Sequence, residues 1–519
     1  MEIITKQIET NQVEKRLFDQ FVLDEDYNVP DSKNDVEKIV MGEGQLRIDE
    51  IKPVENYLRV QGKIVFQVLY VAEGIEPTFS NLEGQIPFVE MVYVEEGADK
   101  NMDIRSSRVE LGVHMIHSRK LRIKAMIELE IESERQNVEE IPTGVETASH
   151  IYTKQRQLDL LKLNTSKKDT YRIKEEINLP GTKESMGMML WSDIGNRRLD
   201  TRLAVDELQI MGELLVFCFY ESPDGKIDWI EQSVPYQGRI ECYGIDESMY
   251  HHVKANLEDA HVEMRVDEDG EMRVIGIEGT LQIHLAVYEE EQIDMLEDMY
   301  SLDSNCILET KEVEYEQLVL QNHSKCKVME KLSIPELRNE VLQICHSSGA
   351  IQIERMEMKE DGILAEGVLY ISFLYVKAND SMPFDTWQGV VPFSHLIECS
   401  QTGPDVQYHL SAVLEQLNIT LQGGDEIEVK AALAFQGFFK RVGRDEMIQN
   451  VRVEPMDLAE VEKRPSIVGY MVKEGDDLWT LAKRYSTSID AIREVNDVVG
   501  DSLKAGDKLL IFKENMSIL

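Results

Sequence analysis

The stretch Gly62–Tyr70, GKIVFQVLY, decides the fold, because it returns as GELLVFCFY at Gly212–Tyr220 and as GVLYISFLY at Gly367–Tyr375. Thirty-two residues before each of these glycines stands a proline that follows an apolar residue: Val29-Pro30, Leu179-Pro180 and Ile334-Pro335. The prolines lie 150 and 155 residues apart, and the short polar and apolar mixtures DEDYN, KEEIN and MEKLS precede them. Beyond each tyrosine comes an apolar-Pro-aromatic triplet, Ile86-Pro87-Phe88, Val234-Pro235-Tyr236 and Val391-Pro392-Phe393. Self-similarity at a fixed period marks tandem units. The copies are read as residues 1–148, 149–305 and 306–455.

Within the quoted run, Ile64, Phe66, Val68 and Tyr70 correspond to Leu214, Val216, Cys218 and Tyr220 and to Leu369, Ile371, Phe373 and Tyr375. Apolar residues at every second position mark a strand with one face on a core. The other face is mixed (Lys63, Val65 and Gln67 in the first copy), which predicts partial cover. A second alternating run closes each copy: Leu121 to Ile131, Leu281 to Val287 and Ile427 to Phe435. After the first proline the spacing changes to steps of three and one, at Val36, Ile39, Val40, at Met186, Met189, Leu190 and at Val341, Ile344, Cys345. That spacing predicts a short helix laid on the sheet. Each copy is expected to be a predominantly antiparallel β-domain, a sandwich or distorted barrel with one helix.

Composition narrows the function. The 519 residues carry 97 acidic against 55 basic side chains, a net charge of −42. Such a surface repels phosphate backbones and anionic lipid, so neither nucleic acid nor membrane insertion is expected. Hydrophobic residues at 42% suffice for folded cores, which a solvated acidic tail could not form. Six scattered cysteines (Cys218, Cys242, Cys306, Cys326, Cys345, Cys399) form no C-x-x-C pair and read as buried thiols in a reducing compartment. The start, MEIITKQIET, lacks a basic segment followed by an apolar run, which predicts a cytoplasmic protein without signal peptide or transmembrane segment.

Catalytic signatures are missing. His251, His252 and His261 lie among Glu258, Asp259 and Glu263 without a tight ligand spacing and read as surface histidines, so no metal is expected. Gly42 and Gly44 lack a third glycine and read as a turn, and Gly423-Gly424-Asp425 reads as a hairpin turn. No G-x-S-x-G and no G-K-[ST] occurs. The sequence predicts no enzyme and no cofactor.

Residues 456–465, MDLAEVEKRP, form a charged stretch ending in proline, read as a linker. Beyond it, residues 466–513 read as a small α+β module of order βααβ. Tyr470 and Val472 alternate on a strand, Gly475 makes a turn, and Asp476 or Asp477 can cap the helix that follows. Leu478, Leu481, Ala482 and Tyr485 form a helical apolar stripe, with Trp479 beside it. A second helix starts near Thr487 or Ser488, turns Ile489 and Ile492 inward and ends around Asn496; Leu509 and Ile511 return as a strand. This segment resembles the LysM family at Tyr470, Val472, Gly475, Asp476, Leu478, Trp479, Ala482, Tyr485, Ile489, Ile492, Asn496, Leu503, Gly506, Leu509 and Ile511.

The resemblance implies a groove between the turn at Gly475, Asp476, Asp477 and Leu478 and the loop from Asn496 to Leu503, with Trp479, Val498 and Gly500 among its candidate contacts. In relatives that bind N-acetylglucosamine polymers the position of Asp477 is usually threonine, and a carboxylate cannot donate a hydrogen bond to a sugar oxygen. Trp479 is expected to be half-covered, either flanking the small core or anchoring an interface. LysM modules normally work outside the cell, yet this chain is expected to lack an export signal; endospore formers reconcile the two, because the mother cell builds the coat from its own cytosol. Repeated β-domains followed by LysM resemble the SipL-like clostridial spore-coat morphogenetic proteins. That resemblance implies a scaffold on the mother-cell side of the forespore that docks on a SpoIVA-like coat-basement ATPase through its LysM module. The alternative is a peptidoglycan or cortex glycan binder.

Overall fold

The computed structural model describes residues 1–74, 78–95, 97–147, 150–338, 340–378, 383–399, 401–456, 465–496 and 503–513. The chain is mainly β, with several three-stranded antiparallel sheets in tandem and a small helix-containing C-terminal region. In the first unit β1 (Glu2–Asn28), β6 (Lys120–Glu146) and β5 (Met102–His117) form one sheet in the order β1-β6-β5. The other sheet is β2 (Val36–Val54), β3 (Tyr57–Ala72) and β4 (Thr78–Tyr93), with β3 central. The second unit repeats the pattern with β7 (Ile151–Asn178), β12 (Met272–Ser301) and β11 (Tyr250–Val266), and with β8 (Met188–Ala204), β9 (Glu207–Glu221) and β10 (Ile227–Glu241). The third has β13 (Ser304–Ser333), β18 (Glu426–Pro455) and β17 (Val406–Gly423), and β14 (Val341–Met358), β15 (Gly362–Lys377) and β16 (Phe384–Glu398). The inner faces of each pair of sheets enclose one core, in the first unit Ile64, Phe66, Val68 and Tyr70 against Leu121, Ile123, Ala125, Ile127, Leu129 and Ile131.

Cross-strand register explains the repeated glycine and the repeated aromatic. Gly62 lies opposite Phe88, Gly212 opposite Tyr236, and Gly367 opposite Phe393. A β-carbon added to Gly62 would stand 2.2 Å from the Arg47 carbonyl oxygen and 3.1 Å from the Phe88 ring; at Gly212 it would stand 2.1 Å from the Tyr236 ring. The aromatic ring therefore covers the bare glycine backbone, and the two sequence motifs are one packing unit. Because the obstacle at Gly62 is backbone, Gly62→Ala should destabilise the protein by about 1–3 kcal/mol. Chemical denaturation checks this, with a lowered midpoint and unchanged slope as the expected outcome.

The helix expected after each first proline is absent; those residues open β2 and β14, and in the second unit Met186 precedes β8 while Met189 and Leu190 lie at its start. The physical reason is a series of bulges. Register shifts fall at Val36/Lys38 and Ile39/Met41, at Met189/Trp191, and at Val341/Gln343 and Ile344/His346. Each bulge adds a residue to one strand and resets the alternation of faces, so a strand imitates helical steps of three. Val36 and Ile39 consequently face the core of the first unit, while Val40 faces the other units. Gly42 and Gly44 are also inside β2 and not in a turn; side chains there would run into Val113 at 2.6 Å and Leu111 at 3.2 Å on β5. The Pro335–Leu337 segment makes a short 3-10 turn. Gly423 and Gly424 adopt positive φ in the hairpin between β17 and β18.

The three units pack around a common axis. Equivalent residues Leu69, Phe219 and Leu374 meet in one apolar cluster with Val40, Leu190 and Cys345, and Phe79 and Phe384 stack edge to face on Phe219. This is what covers the outer faces of β3, β9 and β15 at their Leu69, Phe219 and Leu374 ends. Beside it lies a charged junction. His346 of the third unit stacks on Phe217 at 4.1 Å and is 2.9 Å from the Asp193 carboxylate and 2.6 Å from that of Glu231, both of the second unit. Burial alone would lower the His346 pKa, but hydrogen bonds and charge from Asp193 and Glu231 raise it from 6.5 to about 9. Burial and the Asp193 charge push the half-buried Glu43 of the first unit up to about 8. Both folded-state values are raised, so both groups bind protons more tightly when folded, and the stability they confer is lost as pH rises. Unfolding free energy should therefore fall between about pH 5 and pH 9, and His346→Gln should flatten the upper part of that decline in pH-resolved melting curves.

Further along the axis the long strands run on as two-stranded ribbons. There Ile8 and Ile141 of the first unit meet Leu158, Leu160, Ile293 and Met295 of the second and Val313, Tyr315 and Met447 of the third. Between the two apolar layers sits a fully buried ion pair, Lys440 Nζ to Glu316 Oε1 at 2.8 Å. Lys440 also donates to the Asn11 carbonyl oxygen, and its ammonium lies 5.4 Å from the Tyr288 ring centroid. All three units thus contribute to one polar centre.

Candidate functional site

The C-terminal module pairs β19 (Ile467–Met471) with β20 (Lys508–Phe512) in antiparallel register and packs α1 (Leu478–Tyr485) and α2 (Ile489–Asn496) on them. Val472, Leu478, Leu481, Ala482, Ile492, Leu509 and Ile511 form its core. The turn between β19 and α1 is held by its own side chains. Gly475 adopts φ 88°, a region that glycine enters without strain. Asp476 accepts from the Lys473 backbone N–H and the Tyr470 hydroxyl, both at 2.8 Å. These bonds, the backbone one foremost, hold the Asp476 carboxyl below its ordinary range. Asp477 is the N-cap of α1 and accepts from the Thr480 backbone N–H at 2.6 Å and its hydroxyl at 3.0 Å.

On the other side of the expected groove, Asn496 joins α2 to β20. Its amide donates to the Ile492 and Leu510 carbonyls at 2.8 Å, and its oxygen accepts from the Leu510 N–H at 2.6 Å. Leu503 packs against the small core. Val498 and Gly500 lie outside the described residues, as do residues 457–464 of the stretch read as a linker. The structure thus brings Gly475, Asp476, Asp477 and Leu478 together at one turn.

Trp479 has an intramolecular partner. Its indole N–H donates to Asp298 Oδ2 at 2.8 Å, and its ring meets Tyr300 edge to face at 4.9 Å. Lys483, one turn along α1, places Nζ 2.6 Å from Asp298 Oδ1, and the Tyr300 hydroxyl donates to the Thr487 carbonyl at 2.9 Å. Burial opposes the charge on Asp298, yet the bonds from Lys483 and Trp479 hold its carboxyl below the ordinary range. Tyr152 stacks on Tyr300 at 5.0 Å. The module is therefore seated on the end of the β7–β12 ribbon. Asp298, Tyr300 and Tyr152 were not readable as site residues, since nothing in their local sequence marks a contact with a segment about 180 positions away.

The histidines are not all at the surface. His251 is half-buried and lies 3.0 Å from the Thr201 hydroxyl, and His252 stacks on His409 at 4.6 Å between the second and third units. Burial, with nearby cationic groups, pushes their pKa values to about 4 and about 3. His252 and His409 line a cavity of about 1490 Å³ between the units, together with Arg16, Arg105, Lys254 and Tyr288. Its cations are engaged, Arg16 with Glu132 and Arg105 with Glu130 and Glu132, and Lys254 donates to the Ile104 carbonyl. Of the three read as surface histidines, His261 is exposed as expected. Among the described residues no group of His, Cys, Asp and Glu could hold a metal ion, and no helix is long and apolar enough to cross a membrane.

With this geometry in hand, comparison with known families adds two findings. The SipL, SPOCS domain profile matches residues 35–114, 186–265 and 340–422, once in each unit, and the LysM domain profile matches residues 470–512. Both are non-catalytic binding domains. No curated protein and no solved structure matches the chain.

Proposed function

We propose that this sporulation-related protein, a chain of three SipL-type SPOCS domains followed by a LysM domain, is a non-enzymatic scaffold of spore-coat assembly that docks on a SpoIVA-like coat-basement ATPase. It acts on the mother-cell side of the forespore surface. The observation that carries this reading is the state of the LysM turn. Both carboxylates there are engaged within the module, Asp476 by Tyr470 and Lys473 and Asp477 by Thr480. The side chain at Asp477 offers no hydroxyl donor to a sugar oxygen, which favours a protein surface as the ligand. A LysM module also fits glycan binding, and that is the competing reading.

Binding of the purified full chain to a SpoIVA-like ATPase and to chitin oligomers, measured side by side by calorimetry, separates the two. Saturable binding to the ATPase that is lost on removal of residues 466–519 supports the scaffold. Saturable glycan binding without any contact to the ATPase overturns it.

A further inference from the structure

The three units share one fold, yet their outer sheet faces differ at equivalent positions. In the first unit Val54, Tyr57, Val89, Met91 and Tyr93 are each between 41% and 56% exposed. Register makes them contiguous, since Tyr57 lies opposite both Val54 and Tyr93, Arg59 opposite Met91, and Gln61 opposite Val89. Tyr57 and Tyr93 meet edge to face at 5.6 Å. Lys52, Arg59 and Lys63 lie among them on the same face, Lys52 and Arg59 near Glu50, with Glu55 and Glu95 at the adjoining turns. Position for position, the second unit has Glu207, Gln237, Arg239 and Glu241 where the first has Tyr57, Val89, Met91 and Tyr93. The scaffold does not require the apolar residues. A contiguous exposed apolar patch in one copy alone marks an association surface.

The complementary surface is on the same chain. Tyr243 and Val205, at 78% and 71% exposed, protrude from the matching end of the second unit. The Asp206 turn holds them together, with the Gly244 N–H on its side chain at 2.7 Å and the Cys242 N–H on its backbone carbonyl at 2.8 Å. Around them stand Asp206, Glu207, Glu241, Asp246 and Glu247, against Arg239 and Lys167, whose Nζ donates to the Glu241 carbonyl at 2.8 Å. The two surfaces occupy equivalent ends of different units around the axis, so they cannot meet within one molecule. We propose that copies of this chain associate head to tail, the apolar and basic β2–β4 face of one copy seating the acidic Val205–Tyr243 tip of the next. The contact is heterologous, and such contacts generate rings or open chains. At physiological salt the overall negative charge is screened beyond about 8 Å, which leaves the local complementarity to decide.

Sedimentation velocity of the purified full chain over a concentration series tests this. The native chain is expected to show a sedimentation coefficient that rises with concentration. Reversal of the face (K52E with R59E) or of the tip (E241R with E247R) should each weaken association by about tenfold or more. An equimolar mixture of the two variants should regain it, because the native face of the tip variant then meets the native tip of the face variant and the reversed tip meets the reversed face. All four substitutions are at the surface, and melting curves verify that each variant is folded. A native chain that stays monomeric, association that persists in either variant, or a mixture that does not recover would each overturn the proposal.

Discussion

Replacing Lys440 by methionine should lower the unfolding free energy by about 3–5 kcal/mol, because it leaves the Glu316 carboxylate without its counter-charge in a site closed to water. Neither side chain has any exposed surface, and the pair is 2.8 Å apart. Among the described residues the second Glu316 oxygen accepts only from the Asn11 N–H, at 3.4 Å. Replacing both residues, Lys440 by methionine and Glu316 by leucine, should return most of the loss, since an apolar pair of similar volume needs no compensation. A double-mutant cycle in urea measures the coupling. The position of the pair gives the cycle a second readout. Lys440 donates to a backbone carbonyl of the first unit and lies beside Tyr288 of the second, so its loss should loosen the joint between units. A single cooperative transition in the native chain that splits in Lys440→Met would show it.

Much of the fold was legible because burial imposes a strict period. Ile64 to Tyr70 and Leu121 to Ile131 alternate along their whole length and both line the same core. The glycine and the apolar-Pro-aromatic triplet were visible as a repeat, although only the register reveals that Gly62 and Phe88 are partners. What misled the reading was interruption of the period. Bulges at Val36/Lys38 and Ile39/Met41 shift the buried residues into a helical spacing, and no local signal distinguishes a twice-bulged strand from a turn of helix. Contacts between units were hidden for a different reason. Residues such as Leu69 and Phe219 look like tolerated apolar residues on a solvent face until a second unit covers them. His252 misled in the same way, since nothing in its own stretch shows that His409 from another unit stacks on it. The LysM module was fully marked by its own short-range pattern, but its seat on the ribbon was not.

That seat sets the second large effect. Trp479→Ala should release the LysM module from the body while leaving it folded. The indole gives up a hydrogen bond to a charged carboxylate, which contributes about 1.5–3 kcal/mol, together with its contact on Tyr300. Among the described residues two polar contacts remain, an ion pair from Lys483 to Asp298 that is open to water on the lysine side and a neutral hydrogen bond from Tyr300 to Thr487, beside the packing of Tyr300 and Leu302 on the module's core. The two polar contacts contribute about 1–2 kcal/mol, so loss of the indole removes the largest polar share of the seat. Hydrogen exchange should then rise at Tyr300 and along α1, and small-angle scattering should report a larger radius of gyration. Asp298→Ala should do the same from the other side of the contact without touching the module. The pair of variants also resolves what Trp479 does for partner binding. If the indole contacts the partner directly, Trp479→Ala weakens binding and Asp298→Ala does not. If the ribbon presents the module in a fixed orientation, both weaken it equally, because the entropy of an undocked module must be lost again on binding. Stronger binding in both variants would mean that docking competes with the partner for the same ring, and the Asp298 carboxylate would then act as a latch.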